Sequence, residues 1–329
     1  FEKGFPLSNG NQFEAYEVML PKVNKFDLIV KNLAVSINPI DTKLRQSGKG
    51  IPQPHVLGFD SVGIVTQMGS KVENIQIGDR ILFAGTTKRF GSYSECQVVD
   101  SRIVAKLPNE ITTDEAAALP LTFITAFEML FEKMGLIAEE NQNDGEILII
   151  NGAGGVGSIA TQLAKWAGLT VITTASREES KDWAKKMGAD YVIDHHKNLT
   201  KQVNKLGYRL LPNILILHST DHYFDEMCDL LEPFGHLGSI VGSNKDLNLA
   251  KLKNKSGSFD WEYMFAKTDY DFAIASQGTI LELLVRLLQE KKIQSTLTKI
   301  LPGFSPDVFY QAHQFIEEDK MIGKLVIHY

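Results

Sequence analysis

Three glycines in the stretch EILIINGAGGVGSIATQLAKWAG, residues 146–168, stand at a spacing with a chemical meaning. Gly152-x-Gly154-x-x-Gly157 follows an apolar run that reads as a strand and opens a run that reads as a helix. The first glycine permits a tight turn, the second lets the backbone approach a pyrophosphate, and the third lets helix and strand pack closely. The start of a helix adds free N–H groups and a positive dipole end. Gly152, Ala153, Gly154, Gly155, Val156 and Gly157 are therefore expected to cradle a dinucleotide. The competing reading is a glycine-rich turn that serves packing alone.

The next strand decides which dinucleotide. An acid about 20 residues on grips a free ribose 2′-hydroxyl. Here TVITTAS ends in Thr174-Ala175-Ser176, followed by Arg177, and the first acids, Glu178 and Glu179, fall in the next helical run. Ser176 can hydrogen-bond a 2′-phosphate, Arg177 can pair with it, and Lys181 adds charge one turn on. This pattern favours NADPH over NADH. Arg177 and Lys181 as solvated helix-start residues is the alternative.

The elements that must hold this turn follow from patterning. Residues 1–115 read as strands: AYEVMLP, FDLIVKNLAVSIN, SVGIVTQMG, DRILFAG and YSECQVVD carry β-branched and aromatic residues between Gly, Pro and Asn punctuation. TTDEAAALPLTFITAFEMLF then opens with Thr and acids, as a helix does. From EILIING onward strands alternate with helical runs, which implies a doubly wound parallel sheet. TILELLVRLLQEKKI has helical spacing, and KLVIHY closes the chain as a strand. The expected division is a mostly β unit of residues 1–118 completed by 270–329, with an α/β nucleotide unit of 119–269 between. The 329 residues suit two domains.

A net charge of -6, from 34 basic and 40 acidic residues, argues against a nucleic-acid or anionic-membrane partner. The two cysteines, Cys96 and Cys228, form no CxxC, which excludes a four-cysteine zinc lobe and fits a reduced, cytoplasmic setting. No signal peptide and no apolar run of about 20 residues is evident.

Beyond these features, VSINPIDTKLRQSG, PHVLGFDSVGIV, IQIGDRILF, GSYSECQVV, LPLTFITAFEML, NGAGGVGSIATQLAKWAG, KKMGADYVID and GKLVI occur in an order that resembles the medium-chain dehydrogenase/reductases. The likeness is to the zinc-less quinone oxidoreductase branch, whose subgroup is often named zinc-type alcohol dehydrogenase-like, and it covers essentially the whole chain. It implies a GroES-like catalytic domain with an inserted Rossmann domain, and a homodimer paired through the Rossmann sheet. In zinc members of this family, ligands stand where this chain has Asn38, Phe59 and a position near Leu121. None of those side chains is a zinc ligand, and a catalytic zinc needs three. His55, four residues before Phe59, is a lone histidine among apolar neighbours.

Without a Lewis acid, hydride transfer from NADPH to a quinone or activated enone asks less than oxidation of an alcohol, because charge develops on a conjugated oxygen. The resemblance places Asn38 beside the nicotinamide, where its amide can donate to a substrate carbonyl; shaping the turn before Pro39 is the other reading. Asp41 orients neighbours or caps a helix. Thr125 approaches the nicotinamide ribose or bonds its own backbone. Val241 and Gly242, with Ser243, are expected beside the nicotinamide, and His218 and Ser219 on the adenosine side. Lys324 reaches the cofactor or is a surface lysine. The aromatic run FDWEYMF, residues 259–265, fits an apolar substrate pocket or a subunit interface. Two other functions stay open at this level: a zinc alcohol dehydrogenase with unorthodox ligands, and an NADPH-binding sensor or structural protein without turnover.

Overall fold

A computed structural model describes residues 1–20 and 22–329. In chain order the strands are β1 (Asp27–Ser36), β2 (Asp60–Met68), β3 (Arg80–Phe83), β4 (Cys96–Asp100), β5 (Val104–Lys106), β6 (Glu146–Ile150), β7 (Thr170–Thr174), β8 (Tyr191–Ile193), β9 (Leu211–Ile216), β10 (Leu231–Ser239), β11 (Ser258–Trp261), β12 (Leu297–Pro302) and β13 (Lys324–His328). The chain divides into two compact units, Phe1–Ile124 with Phe265–Tyr329, and Thr125–Met264. Sequence patterning placed the two passages at 118–119 and 269–270.

The first unit is built on a seven-stranded sheet in the order β12-β13-β1-β2-β3-β5, with β4 also paired to β1. β1 is its spine. It runs antiparallel to β2, β4 and β13, and β13 is parallel to β12. Leu28, Val30, Val65, Ile81, Phe83 and Val99 form one core against this sheet. Val35, Ile37, Phe309, Leu325 and Ile327 form another. The last strand of the chain thus lies beside the first strand of the sheet.

The second unit is a six-stranded sheet in the order β11-β10-β9-β6-β7-β8, parallel at every pairing. Its central strands are apolar on both faces, as helices covering both sides require. Ile150, Ile172, Ile214, Ile216 and Leu237 pack with Phe224 and Met227 of the helix Thr220–Leu230. The strand order reverses between β6 and β9, and at such a switch point ligands bind outside the carboxyl ends of the strands.

Two expected elements differ. The strand expected over AYEVMLP does not form: residues 15–20 have no regular structure, and Pro21 lies outside the described residues. Their alternating apolar side chains find no burial; Met19 is 94% exposed. The helix expected to run on from residue 112 is broken into Thr113–Ala117 and Pro120–Phe127, followed by a π-helical turn, Glu128–Lys133. Pro120 has no N–H to continue the first piece, so it starts the second.

Candidate functional site

The glycine turn lies where β6 meets the helix Gly155–Ala167. Two of its glycines are required by space. A Cβ on Gly152 would lie 1.7 Å from Thr173 Oγ1, and one on Gly157 would lie 2.2 Å from the Asn151 carbonyl oxygen. A Cβ on Gly154 would come no nearer than 3.1 Å to Asn151, at the end of its side chain. Asn151 itself takes φ 69°, and its N–H donates to Thr174 Oγ1 at 2.9 Å, tying the turn to the end of β7. Gly154 caps the helix without a side chain, so Gly155, Val156 and Gly157 present N–H groups at its start. This is a cradle for an anion, and a pyrophosphate is of the right charge and shape.

The other candidate nucleotide residues gather at the same edge of the sheet. Ser176 and Arg177 follow β7, and Arg177 is exposed at the start of the helix Glu178–Lys186. Lys181 is already paired with Glu178 at 2.7 Å. His218 and Ser219 follow β9, and Ser219 Oγ lies 2.6 Å from His218 Nδ1. Ser219 takes φ 51° ahead of the helix Thr220–Leu230. Thr220 Oγ1 donates to the Val241 carbonyl at 2.5 Å, which draws the loop after β9 to the loop after β10. A Cβ on Gly242, beside Val241, would meet open space. Thr125 is buried in the helix Pro120–Phe127.

The catalytic candidates of the first unit form a buried polar cluster. Asn38 precedes the helix Pro39–Ser47, and its backbone N–H donates to Asp41 Oδ2 at 2.8 Å. Asp41 Oδ1 accepts from the Gly58 N–H at 3.1 Å. Gly58 takes φ 94°, and a Cβ there would strike Ser92 Oγ and the Tyr93 ring, each at 2.4 Å. The Asn38 side chain turns away from the helix: Nδ2 donates to Asp60 Oδ2 at 2.8 Å, and Oδ1 accepts from Lys324 Nζ. Asp60 also accepts from Ser36 Oγ at 2.6 Å and from the Leu121 N–H at 2.6 Å. Lys324 is 4% exposed, so it is an interior lysine, and it donates further to the Ile37 carbonyl and to Asp60. Burial pushes its ammonium below the usual lysine value, against the opposing pull of Asp60 and Asp41. Burial pushes the Asp41 carboxyl up to about 7, against the Asn38 N–H and Lys324.

Asp60 is the residue that sequence reasoning missed. It accepts from four groups on three stretches of chain, 36–38, 121 and 324. The signal was an acid inside the apolar run VLGFDSVGIV, because a charge buried in a strand must find partners. Its neighbour Phe59 is 2% exposed and packs on Phe265 with ring centroids 4.5 Å apart. His55 is packed too: its Nδ1 lies 3.1 Å from the Pro52 carbonyl and its ring lies against Phe1. Among the described residues, no three His, Cys, Asp or Glu side chains gather as a set of metal ligands. An amide held at both ends, a phenyl ring and the Leu121 side chain do not fit a zinc ion.

A parallel sheet in this strand order, a glycine turn at its switch point and a separate β unit carrying a polar cluster are the architecture of a two-domain oxidoreductase. The chain belongs to the medium-chain dehydrogenase/reductase superfamily, with a GroES-like domain and a Rossmann domain. The family signature described as alcohol dehydrogenase GroES-like domain matches residues 24–109, and that described as zinc-binding dehydrogenase matches residues 155–270. A zinc-type alcohol dehydrogenase-like protein of Staphylococcus aureus (strain MSSA476) is 44% identical over 100% of this chain and 98% of its own length. An NADPH-dependent alkenal/one oxidoreductase, chloroplastic, of Arabidopsis thaliana is 34% identical over 94% of this chain and 74% of its own. The crystal structure of Escherichia coli quinone oxidoreductase complexed with NADPH matches with a TM-score of 0.80 at 25% identity, covering 95% of each chain.

Proposed function

We propose that this oxidoreductase is a zinc-independent, NADPH-dependent reductase that passes hydride to a quinone or an activated enone. The observation that carries the reading is the polar cluster: where zinc members place ligands, this chain has Asn38, Phe59 and Leu121, and Asp60 and Lys324 knit that place together. NADPH supplies the hydride, and the glycine turn with Ser176 and Arg177 holds it. The alkenal/one and quinone oxidoreductases among the similar proteins support both the cofactor and the acceptor class.

The protein's own part is positioning and charge. Asn38 Nδ2 keeps one N–H beyond the one given to Asp60, and that N–H meets the acceptor oxygen as negative charge grows on it. Asp41 fixes the backbone on both sides, at Asn38 and Gly58. Thr125 contacts the nicotinamide ribose, and Val241 and Gly242 line the nicotinamide, with His218 and Ser219 on the adenosine side. A homodimer is part of the same reading. β11 is an edge strand, and Trp261 and Tyr263, 45% and 49% exposed, stand at its end.

The test is oxidation of NADPH, against NADH, by a panel of quinones and enones with a strong chelator present. Turnover that prefers NADPH and ignores the chelator is expected. Stoichiometric zinc in the purified protein, lost together with activity, would overturn the metal-free reading. Tight NADPH binding without turnover on any acceptor would favour a sensor.

A further inference from the structure

The Lys324 side chain ends inside the protein, and the three N–H bonds of its ammonium form have three acceptors: the Ile37 carbonyl at 3.0 Å, Asn38 Oδ1, and Asp60 Oδ2 at 3.4 Å. Every donor is used, so in this arrangement none is left for a cofactor phosphate. The consequence falls on Asn38. Its amide is gripped at both ends by opposite charges, the ammonium on Oδ1 and the Asp60 carboxylate on Nδ2. An ammonium cannot accept and a carboxylate cannot donate, so a flipped amide would lose both bonds. The geometry therefore fixes which edge of the side chain is the donor edge. A cation on the carbonyl oxygen also draws electron density from the amide nitrogen, which strengthens the remaining N–H as a donor. Asp60 is held in turn by Ser36 Oγ and the Leu121 N–H, so the frame around the amide does not depend on the lysine alone.

We propose that Lys324 is a positioning residue of the reaction that acts through Asn38, orienting its amide and polarising the N–H offered to the acceptor oxygen. This rests on the reading of Asn38 as the donor in hydride transfer. In this role Lys324 acts on the amide of Asn38 and not on the reactants themselves. Its charge stands near the place where zinc members keep a metal, but it works one residue away.

The experiment is a mutant cycle on the full-length protein, with NADPH and the best acceptor from the panel. Lys324→Met alone leaves Asp60 buried and unpaired and threatens folding, so the informative variant is Lys324→Met with Asp60→Asn, which removes both charges together. Expected for this double variant are a thermal midpoint near wild type, an NADPH Kd within about twofold and a kcat lower by about 10–100-fold. In an Asn38→Ala background, the same double substitution is expected to lower kcat by less than about twofold, because the residue it acts through is gone. An alkaline fall in kcat is expected of the wild type and should be missing from the double variant.

Multiplicative losses across the cycle would overturn the proposal, because Lys324 would then act independently of Asn38. A weakened NADPH Kd with unchanged kcat would also overturn it and hand the lysine to the cofactor. Failure of both forms of the variant to fold would mean the pair is structural, and that overturns it as well. Wild-type protein that turns over no acceptor would remove the reductase reading itself, an outcome distinct from a wild-type enzyme whose cycle is multiplicative.

Discussion

At the scale of single residues, the proposed preference for NADPH rests on Arg177. The neighbouring Lys181 gives its charge to Glu178, whose carboxyl it holds below the usual range. Arg177, exposed at the start of the helix Glu178–Lys186, is the other cation proposed for a 2′-phosphate. Arg177→Ala should weaken NADPH by about 10–100-fold, the worth of a hydrogen bond to a charged group, and leave NADH within about twofold. Fluorescence titration of both nucleotides checks this, and equal losses for both would show that Arg177 serves the fold. The glycines were legible because their chemistry is local: Gly152 and Gly157 are needed where a Cβ would enter a neighbouring atom. Asp60 and Lys324 were not, because their roles depend on a meeting across 264 positions of chain. Spacing within a motif cannot report such a partnership, so Lys324 read equally well as a cofactor ligand or a surface residue.

At the scale of elements, periodicity located most strands and helices of the α/β region, where each element is long and apolar enough to mark itself. It failed at the N-terminal segment, because a strand exists only with a partner and residues 15–20 have none. It also did not show the π-helical turn Glu128–Lys133, which brings the buried Glu128 against Glu262, just past β11. Burial first, then repulsion and a hydrogen bond from Glu128, push the Glu262 carboxyl up to about 9, with Lys133 opposing and Glu132 adding to the repulsion. Burial and the neighbouring carboxyl thus favour a proton on this pair. A raised carboxyl favours the folded state fully below its unfolded value of about 4.5, and that support is lost as pH rises through about 9. Wild-type stability should fall across this window as the site is forced to ionise. Glu262→Gln, which stays neutral while keeping a hydrogen-bonding side chain, should flatten that part of the slope. Urea unfolding at pH 5, 7 and 9 measures it, and parallel slopes for the two proteins would show that the pair carries no shared proton.

At the scale of the whole molecule, the order β module, α/β unit, return was legible because the period of the apolar pattern changes along the chain. What the pattern could not show is how deeply the return is built in. β13 is not an appendage: it lies between β12 and β1, bonded to both, and Leu325, Val326 and Ile327 are fully buried. Its first residue is Lys324, so the strand also carries the cation of the polar cluster. Removing residues 321–329 therefore takes out an interior strand of the first unit, exposes both neighbours and leaves Asp60 without its ion pair. The second unit is continuous in sequence from Thr125 to Met264, and its six strands pair only with one another. A domain with its own core and an unbroken chain folds as a unit. The truncated protein should accordingly lose protection from protease throughout 1–124 and 265–320, while a fragment close to 125–264 survives and is retained on immobilised NADPH. Mass spectrometry of the digest identifies the fragment. Protection of the β1–β5 region in the truncated protein would show that the first sheet stands without its last strand, and loss of the 125–264 fragment would show that the nucleotide unit depends on the other for its fold.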